Sequence, residues 1–144
     1  MIPSNQIVRG AGKTRDLAAE IASSLRVGDV VLLHGDLGAG KTTFVQGLAA
    51  ALGAHESIQS PTFTIVAQHE IDLGLLYHLD LYRLVDPEEL ESVGYEGFID
   101  PSDGISVIEW PERAGDWLPD RYILVTFEYV DADSRRIEFS RIGR

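Results

Sequence analysis

The sequence predicts a three-layer α/β fold with a mixed central sheet and a C-terminal antiparallel hairpin, on three observations. An unbroken apolar run at residues 30–34 leads through a glycine-rich stretch into a helical pattern over residues 42–52. Strand-like stretches follow at 63–68, 75–84 and 105–109, with a helix opening between the last two. Finally, the segments 122–130 and 136–142 flank Asp131-Ala132-Asp133-Ser134, a polar turn of the kind that closes a hairpin. Strands that alternate with helices and end in adjacent strands call for a sheet covered by helices.

Taken in order, Thr14 stands before a segment in which Leu17, Ala18, Ile21, Ala22 and Leu25 recur at three- and four-residue spacing, with Gly28 behind it. This is an amphipathic helix with Thr14 as its N-cap. Residues 30–34 have no polar alternation before His34, as expected of a strand buried on both faces. The helix over 42–52 is closed by Gly53. In Asp86-Pro87-Glu88-Glu89-Leu90 a proline occupies the first helical turn and acids lie near the positive end of the helix dipole. With no internal repeat, low-complexity tract or linker-like stretch, residues 1–144 read as one domain.

Composition narrows the function. Of the 144 residues, 44% are apolar, enough to build a single core. No apolar run approaches the roughly 18 to 20 residues that cross a bilayer, and the first residues lack the layout of a signal peptide. The expectation is a soluble, cytoplasmic protein without a membrane partner. The absence of cysteine excludes a disulfide framework, a thiolate zinc site and a cysteine nucleophile. With 23 acidic and 12 basic side chains the net charge is −11, unsuited to gripping a nucleic-acid backbone unaided. Lysine occurs twice, at Lys13 and Lys41, which makes each one informative.

Gly35-Asp36-Leu37-Gly38-Ala39-Gly40-Lys41-Thr42 satisfies the eight-residue P-loop pattern. Glycines let successive backbone N–H groups curl around phosphate oxygens, Lys41 neutralises the terminal phosphates, the Thr42 hydroxyl ligates Mg²⁺, and the following helix aims its positive end at the anion. The fold class therefore sharpens to P-loop NTPase-like. The pentapeptide Gly-Ala-Gly-Lys-Thr occurs a second time at Gly10 to Thr14, but there Ile7 stands where the leading glycine is required and no buried strand precedes it. Lys13 reads as a solvated side chain and Thr14 as a cap rather than a ligand.

A cradle that hydrolyses ATP also needs a carboxylate near the metal and a group that orients water. Glu109 ends the 105–109 strand, and open α/β sheets bind ligands at the carboxyl ends of their strands. It is a candidate metal or water partner, or an ordinary acid at a strand exit. In the 75–84 stretch His78, Asp80 and Tyr82 share one face, and Asp80, flanked by leucines, either meets a cation or marks an exposed face. His78 has no second histidine or cysteine at ligand spacing, which points to support rather than ligation. Ser60-Pro61-Thr62-Phe63 sets two hydroxyls around a rigid proline, fit either to sense a γ-phosphate or to form a turn.

In order and spacing, Gly35 to Thr43, then Ser60-Pro61-Thr62-Phe63, then Tyr77-His78-Leu79-Asp80-Leu81-Tyr82-Arg83, then Ile108-Glu109-Trp110 resemble the bacterial TsaE (YjeE) family, and the resemblance covers essentially the whole chain. It implies a P-loop ATPase required for the threonylcarbamoyladenosine modification of tRNAs that read codons beginning with A, working beside TsaB and TsaD. The cofactors it implies are ATP and Mg²⁺. It further implies catalytic roles for Lys41, Asp80 and Glu109, with Lys41 on the phosphates, Thr42 and Glu109 positioning Mg²⁺ and Asp80 supporting the metal or the water. Asp36, Leu37, Gly38, Ala39, Gly40, Lys41, Thr42 and Thr43 would wrap the nucleotide, while Ser60 to Phe63 would form a nucleotide-sensitive switch loop. Trp110 would lie beside the site, and Thr14 and Arg135 would approach the base.

The leading expectation is an ATPase whose cycle drives a tRNA-modifying assembly and touches tRNA only indirectly, slow alone because Arg83 and Arg113 are distant in sequence from the cradle. A small-molecule kinase and a non-hydrolysing nucleotide switch are the alternatives. A kinase normally needs a lid with several arginines, whereas Arg135, Arg136, Arg141 and Arg144 fall in or beside the hairpin.

Overall fold

The computed structural model describes residues 5–35, 40–54, 66–82, 84, 88–92, 94 and 96–143. Its strands are β1 (Asn5–Arg9), β2 (Val30–His34), β3 (Val66–Ile71), β4 (Gly74–Asp80), β5 (Gly104–Glu109), β6 (Tyr122–Tyr129) and β7 (Ser134–Ile142). They form one sheet in the order β1-β7-β6-β2-β5-β4-β3. β2 pairs in parallel with β5 and β6, and β4 pairs in parallel with β5. β7 runs antiparallel to both β6 and β1, and β3 antiparallel to β4. The sheet is thus mixed, and the carboxyl ends of β1, β6, β2, β5 and β4 lie along one edge.

Helices α1 (Gly10–Ala22) and α2 (Lys41–Ala51) cover one face, where Ile21, Phe44, Val45 and Leu48 pack on Val31, Leu33, Leu76 and Val107. The opposite face carries Val30, Leu32, Leu79 and Ile108, covered by Leu90 of α3 (Glu89–Ser92), by Phe98 and Ile99 of α4 (Glu96–Ile99), and by Ala114 in the 3-10 segment Pro111–Trp117. Successive residues of β2 enter opposite cores, which is why its apolar run shows no alternation.

Three local outcomes differ from the sequence reading. Thr14 does not cap α1. The helix starts at Gly10, whose N–H donates to Asp133 O at 2.8 Å, so a carbonyl of the β6–β7 turn does the capping. Thr14 is one turn inside, buried, its hydroxyl donating back to Gly10 O at 3.3 Å. The strand that precedes this second Gly-Ala-Gly-Lys-Thr is the edge strand β1, of which Val8 alone is buried.

The stretch expected as a strand over 75–84 leaves the sheet after Asp80, because the Asp80 carboxylate accepts the Tyr82 N–H at 3.0 Å and turns the chain. β3 runs three residues beyond the expected end at 68, to Ile71, while residues 63–65 lie outside the described residues, and it joins β4 through a tight turn at Asp72-Leu73. Asp86 and Pro87 lie outside the described residues; the helix they were read as opening is present as α3.

α1 and α2 are in close contact at Gly47, where an added Cβ would stand 2.7 Å from Arg15 Cα. Gly→Ala inside a helix normally stabilises by about 1 kcal/mol. Here the obstacle is backbone, and Gly47→Ala is expected to destabilise the fold by roughly 1–3 kcal/mol. Urea unfolding of the two proteins checks the sign; a stabilised variant would disprove the close contact.

Candidate functional site

The site grows from the carboxyl edge of the sheet. β2 ends at His34, Gly35 follows, and α2 begins at Lys41. Gly40, the residue before α2, has φ 99°, a left-handed conformation that glycine adopts without strain, and the first helical hydrogen bond runs from Phe44 N–H to Gly40 O at 3.0 Å. Gly40, as N-cap, offers no side chain to the first turn, and the N-terminal end of α2 carries the positive end of the helix dipole. Asp36, Leu37, Gly38 and Ala39 lie outside the described residues, as do Ser60, Pro61, Thr62 and Phe63. Thr42 and Thr43 are in the first turn of α2, both half-buried.

Asp80 and Glu109 terminate β4 and β5 and are direct partners in the parallel register, so both side chains emerge on the face covered by α1 and α2. Glu109 is 3% exposed. Its Oε2 lies 2.5 Å from Nε2 of His78, which is fully buried two residues before Asp80. Burial holds the Asp80 carboxyl above the usual range; the Tyr82 N–H opposes that shift, the neighbouring Glu109 carboxylate reinforces it, and His78 and Lys41 oppose it.

Lys41 is buried against the same edge, and its ammonium donates to Gly35 O at 2.6 Å. It also lies 3.5 Å from the centre of the Trp110 ring, a cation–π contact. Trp110 itself adopts φ 58°, ψ 48°, a left-handed backbone that costs a side-chain-bearing residue about 1–2 kcal/mol. This brings the ring over the site as the chain turns from β5 into Pro111. Trp110 also meets Tyr82 at 4.9 Å between ring centres, and the Arg113 guanidinium is 5.7 Å from the Tyr82 ring. Arg113, remote in sequence, is therefore two aromatic rings from Lys41. Arg83 lies outside the described residues.

At the other end of the edge, Phe44 packs edge-on against Phe127 at 5.4 Å, and β6 runs on from there to Tyr129. Arg135 pairs across the sheet with Tyr129 and Val8. Its guanidinium donates to Asp131 O and Ser134 O at 2.8 and 2.9 Å and lies 5.0 Å from the Tyr129 ring. The hydrogen bond from Gly10 to Asp133 brings the start of α1, and hence the turn that carries Thr14, to this hairpin. Sequence reading missed the His78–Glu109 pair and the Trp110–Tyr82–Arg113 stack. The His-x-Asp alternation signalled the shared face of His78 and Asp80, but nothing in it named a partner on another strand.

The two carboxylates paired at this edge are oxygen donors and suit a hard divalent cation. Among the described residues no group of three or more acidic or histidine side chains is placed to hold a metal alone. One or two carboxylates are what a protein commonly offers Mg²⁺, the remaining positions going to phosphate and water. A cation beside Asp80 would oppose the burial that raises its carboxyl.

The fold and site can be set beside known proteins. The family model for TsaE, threonylcarbamoyl adenosine biosynthesis protein, matches residues 8–137. The chain belongs to the TsaE family. The Haemophilus influenzae tRNA threonylcarbamoyladenosine biosynthesis protein TsaE is 46% identical over 109 residues, 76% of this chain and 68% of that protein. The Nostoc protein of the same name is 45% identical over 130 residues, 88% of this chain and 79% of its own. The crystal structure of YdiB from Bacillus subtilis superposes with a TM-score of 0.76 at 30% identity, over 96% of this chain and 85% of that one. No helix among the described residues of this TsaE chain is long and apolar enough to cross a membrane.

The raised Asp80 carboxyl yields a test of sign. The folded protein binds the Asp80 proton more tightly than the unfolded chain, so ionised Asp80 costs stability at neutral pH and the cost fades below the ordinary carboxylate range. Asp80→Asn keeps the oxygen that accepts the Tyr82 N–H. Without metal or nucleotide it is expected to raise Tm at neutral pH, the gain shrinking toward about pH 4. A gain of the same size at both pH values would contradict the electrostatic origin.

Proposed function

We propose that this TsaE protein binds and hydrolyses ATP with Mg²⁺ and serves the threonylcarbamoyladenosine modification of tRNA as a subunit working with TsaB and TsaD. The observation that supports the reading best is the convergence of Lys41, at the start of a helix that follows a glycine-rich loop, with Asp80 and Glu109 at the ends of two adjacent parallel strands. The relatives' names support the pathway.

In this reading the positive end of α2 and the Lys41 ammonium bind the terminal phosphates, and Lys41 exchanges Gly35 O for phosphate oxygen. Thr42, Asp80 and Glu109 hold Mg²⁺. Bound there, the metal supplies charge neutralisation at the phosphate oxygens. Glu109, nearly sealed from solvent, orients the attacking water and accepts its proton. Gly40 and Thr43 contribute backbone N–H groups to the cradle, together with Asp36, Leu37, Gly38 and Ala39. Ser60 to Phe63 respond to the γ-phosphate, and Arg135 with the α1 start that carries Thr14 borders the base. Trp110 walls the site and holds Lys41 in place. A net charge of −11 leaves tRNA to the partners, so contact with the nucleic acid is indirect.

Phosphate release from Mg·ATP, measured alone and with TsaB, TsaD and tRNA, tests the reading. Lys41→Ala is expected to weaken ATP binding by roughly tenfold or more. Glu109→Ala should bind ATP nearly as well as the parent yet turn over roughly 100-fold more slowly. Unchanged affinity in Lys41→Ala by calorimetry would remove the cradle. A rate indifferent to the partners would favour a kinase, and no turnover at all a nucleotide switch.

A further inference from the structure

The His78–Glu109 contact has a use that the fold alone does not require. His78 sits on β4 between Leu76, which enters the α1–α2 core, and Asp80, so an aliphatic side chain at this position would continue the core. Instead the chain buries an imidazole completely. Its one hydrogen bond among the described residues goes to Glu109 Oε2, and its Nδ1 is buried without a partner. Leaving a buried polar atom unpaired costs about 1–3 kcal/mol, so His78 is poorly explained by packing.

We propose that His78 is a positioning residue for Glu109: the imidazole Nε2–H holds carboxylate oxygen Oε2, fixing the torsion of the Glu109 head and presenting Oε1 toward the carboxyl edge of the sheet. This rests on the reading of Glu109 as the residue that directs metal or water. The register makes the contact possible, because Asp80 is opposite Glu109 and His78 opposite Val107, so His78 reaches diagonally across the β4–β5 pair. The unpaired Nδ1 identifies the tautomer. With the proton on Nε2, Nδ1 is a bare acceptor; the other tautomer would bury an N–H with nothing to receive it. The terminal torsion of a glutamate is broad when unrestrained, and a charge-assisted hydrogen bond is strong enough to set it.

Three variants of the full chain separate positioning from packing. Glutamine places its amide nitrogen where imidazole has Nε2, whereas asparagine reproduces the Nδ1 position and falls short of Glu109. Thermal unfolding, phosphate release and Mn²⁺ affinity by electron paramagnetic resonance with nucleotide present are measured for His78→Gln, His78→Asn and Glu109→Gln. His78→Asn is expected to lose roughly 10- to 100-fold in kcat and in Mn²⁺ affinity with little change in KM for ATP, and His78→Gln to recover most of both. Equal losses in folded His78→Gln and His78→Asn would overturn the proposal. Should the variants fail to fold, ¹⁵N chemical shifts of histidine in the unmodified protein decide: protonated Nε2 and bare Nδ1 support it, and the opposite tautomer overturns it. If Glu109→Gln kills turnover while His78→Asn does not, positioning by His78 alone fails. If Glu109→Gln leaves phosphate release intact, the reading of Glu109 falls and this inference with it.

Discussion

Two carboxylates stand side by side at the ends of adjacent parallel strands, and one of them is almost entirely removed from water. A buried charge is tolerated only when something answers it, so the surroundings of Asp80 and Glu109 are organised by that requirement. Lys41 faces them from α2, His78 grips Glu109 from behind, and the Tyr82 N–H turns back onto Asp80. The parallel order of β4, β5 and β2 matters because it brings the exits that carry these groups to a common edge.

That edge is braced from outside as well as from below. Trp110, with its left-handed backbone, closes one wall, its ring in contact with both Lys41 and Tyr82. Leu81 N–H to Glu109 O at 3.1 Å ties the chain leaving β4 to the end of β5, so the turn after Asp80 and the turn at Trp110 are held as one unit. The exposed ends of this unit, Tyr82 and Arg113, are outward-facing neighbours of a site otherwise sunk into the sheet.

What the sequence disclosed follows from the range of each interaction. The β2–loop–α2 unit was readable because its signals, an apolar run, glycines and a helical period, are all local. The hairpin over β6 and β7 was readable for the same reason. Lys41 was marked by the glycine-rich pattern, Glu109 by its place at a strand end, and Asp80 as a carboxylate between leucines. Thr14 was misjudged because the group that caps α1 is a backbone carbonyl at Asp133, some 120 positions away in sequence, and no side-chain pattern announces a carbonyl. The grip of His78 on Glu109 was hidden likewise, since it exists only once β4 and β5 have found their register. The end of β4 was overrun because its apolar alternation continues past the point where the Asp80 side chain captures a backbone N–H.

The bond between Gly10 and Asp133 joins regions made at opposite times. During synthesis, β1 and the first turn of α1 leave the ribosome early, yet β1 has β7 as its strand partner and the helix start waits for the β6–β7 turn. The central β2–β5–β4 block can assemble before either arrives. Closure of the outer β1–β7 pair is therefore a late, long-range step of the kind that slows folding. A nascent chain arrested before residue 134 would expose both an unpaired β1 and a bare β6, edges that other chains could recruit.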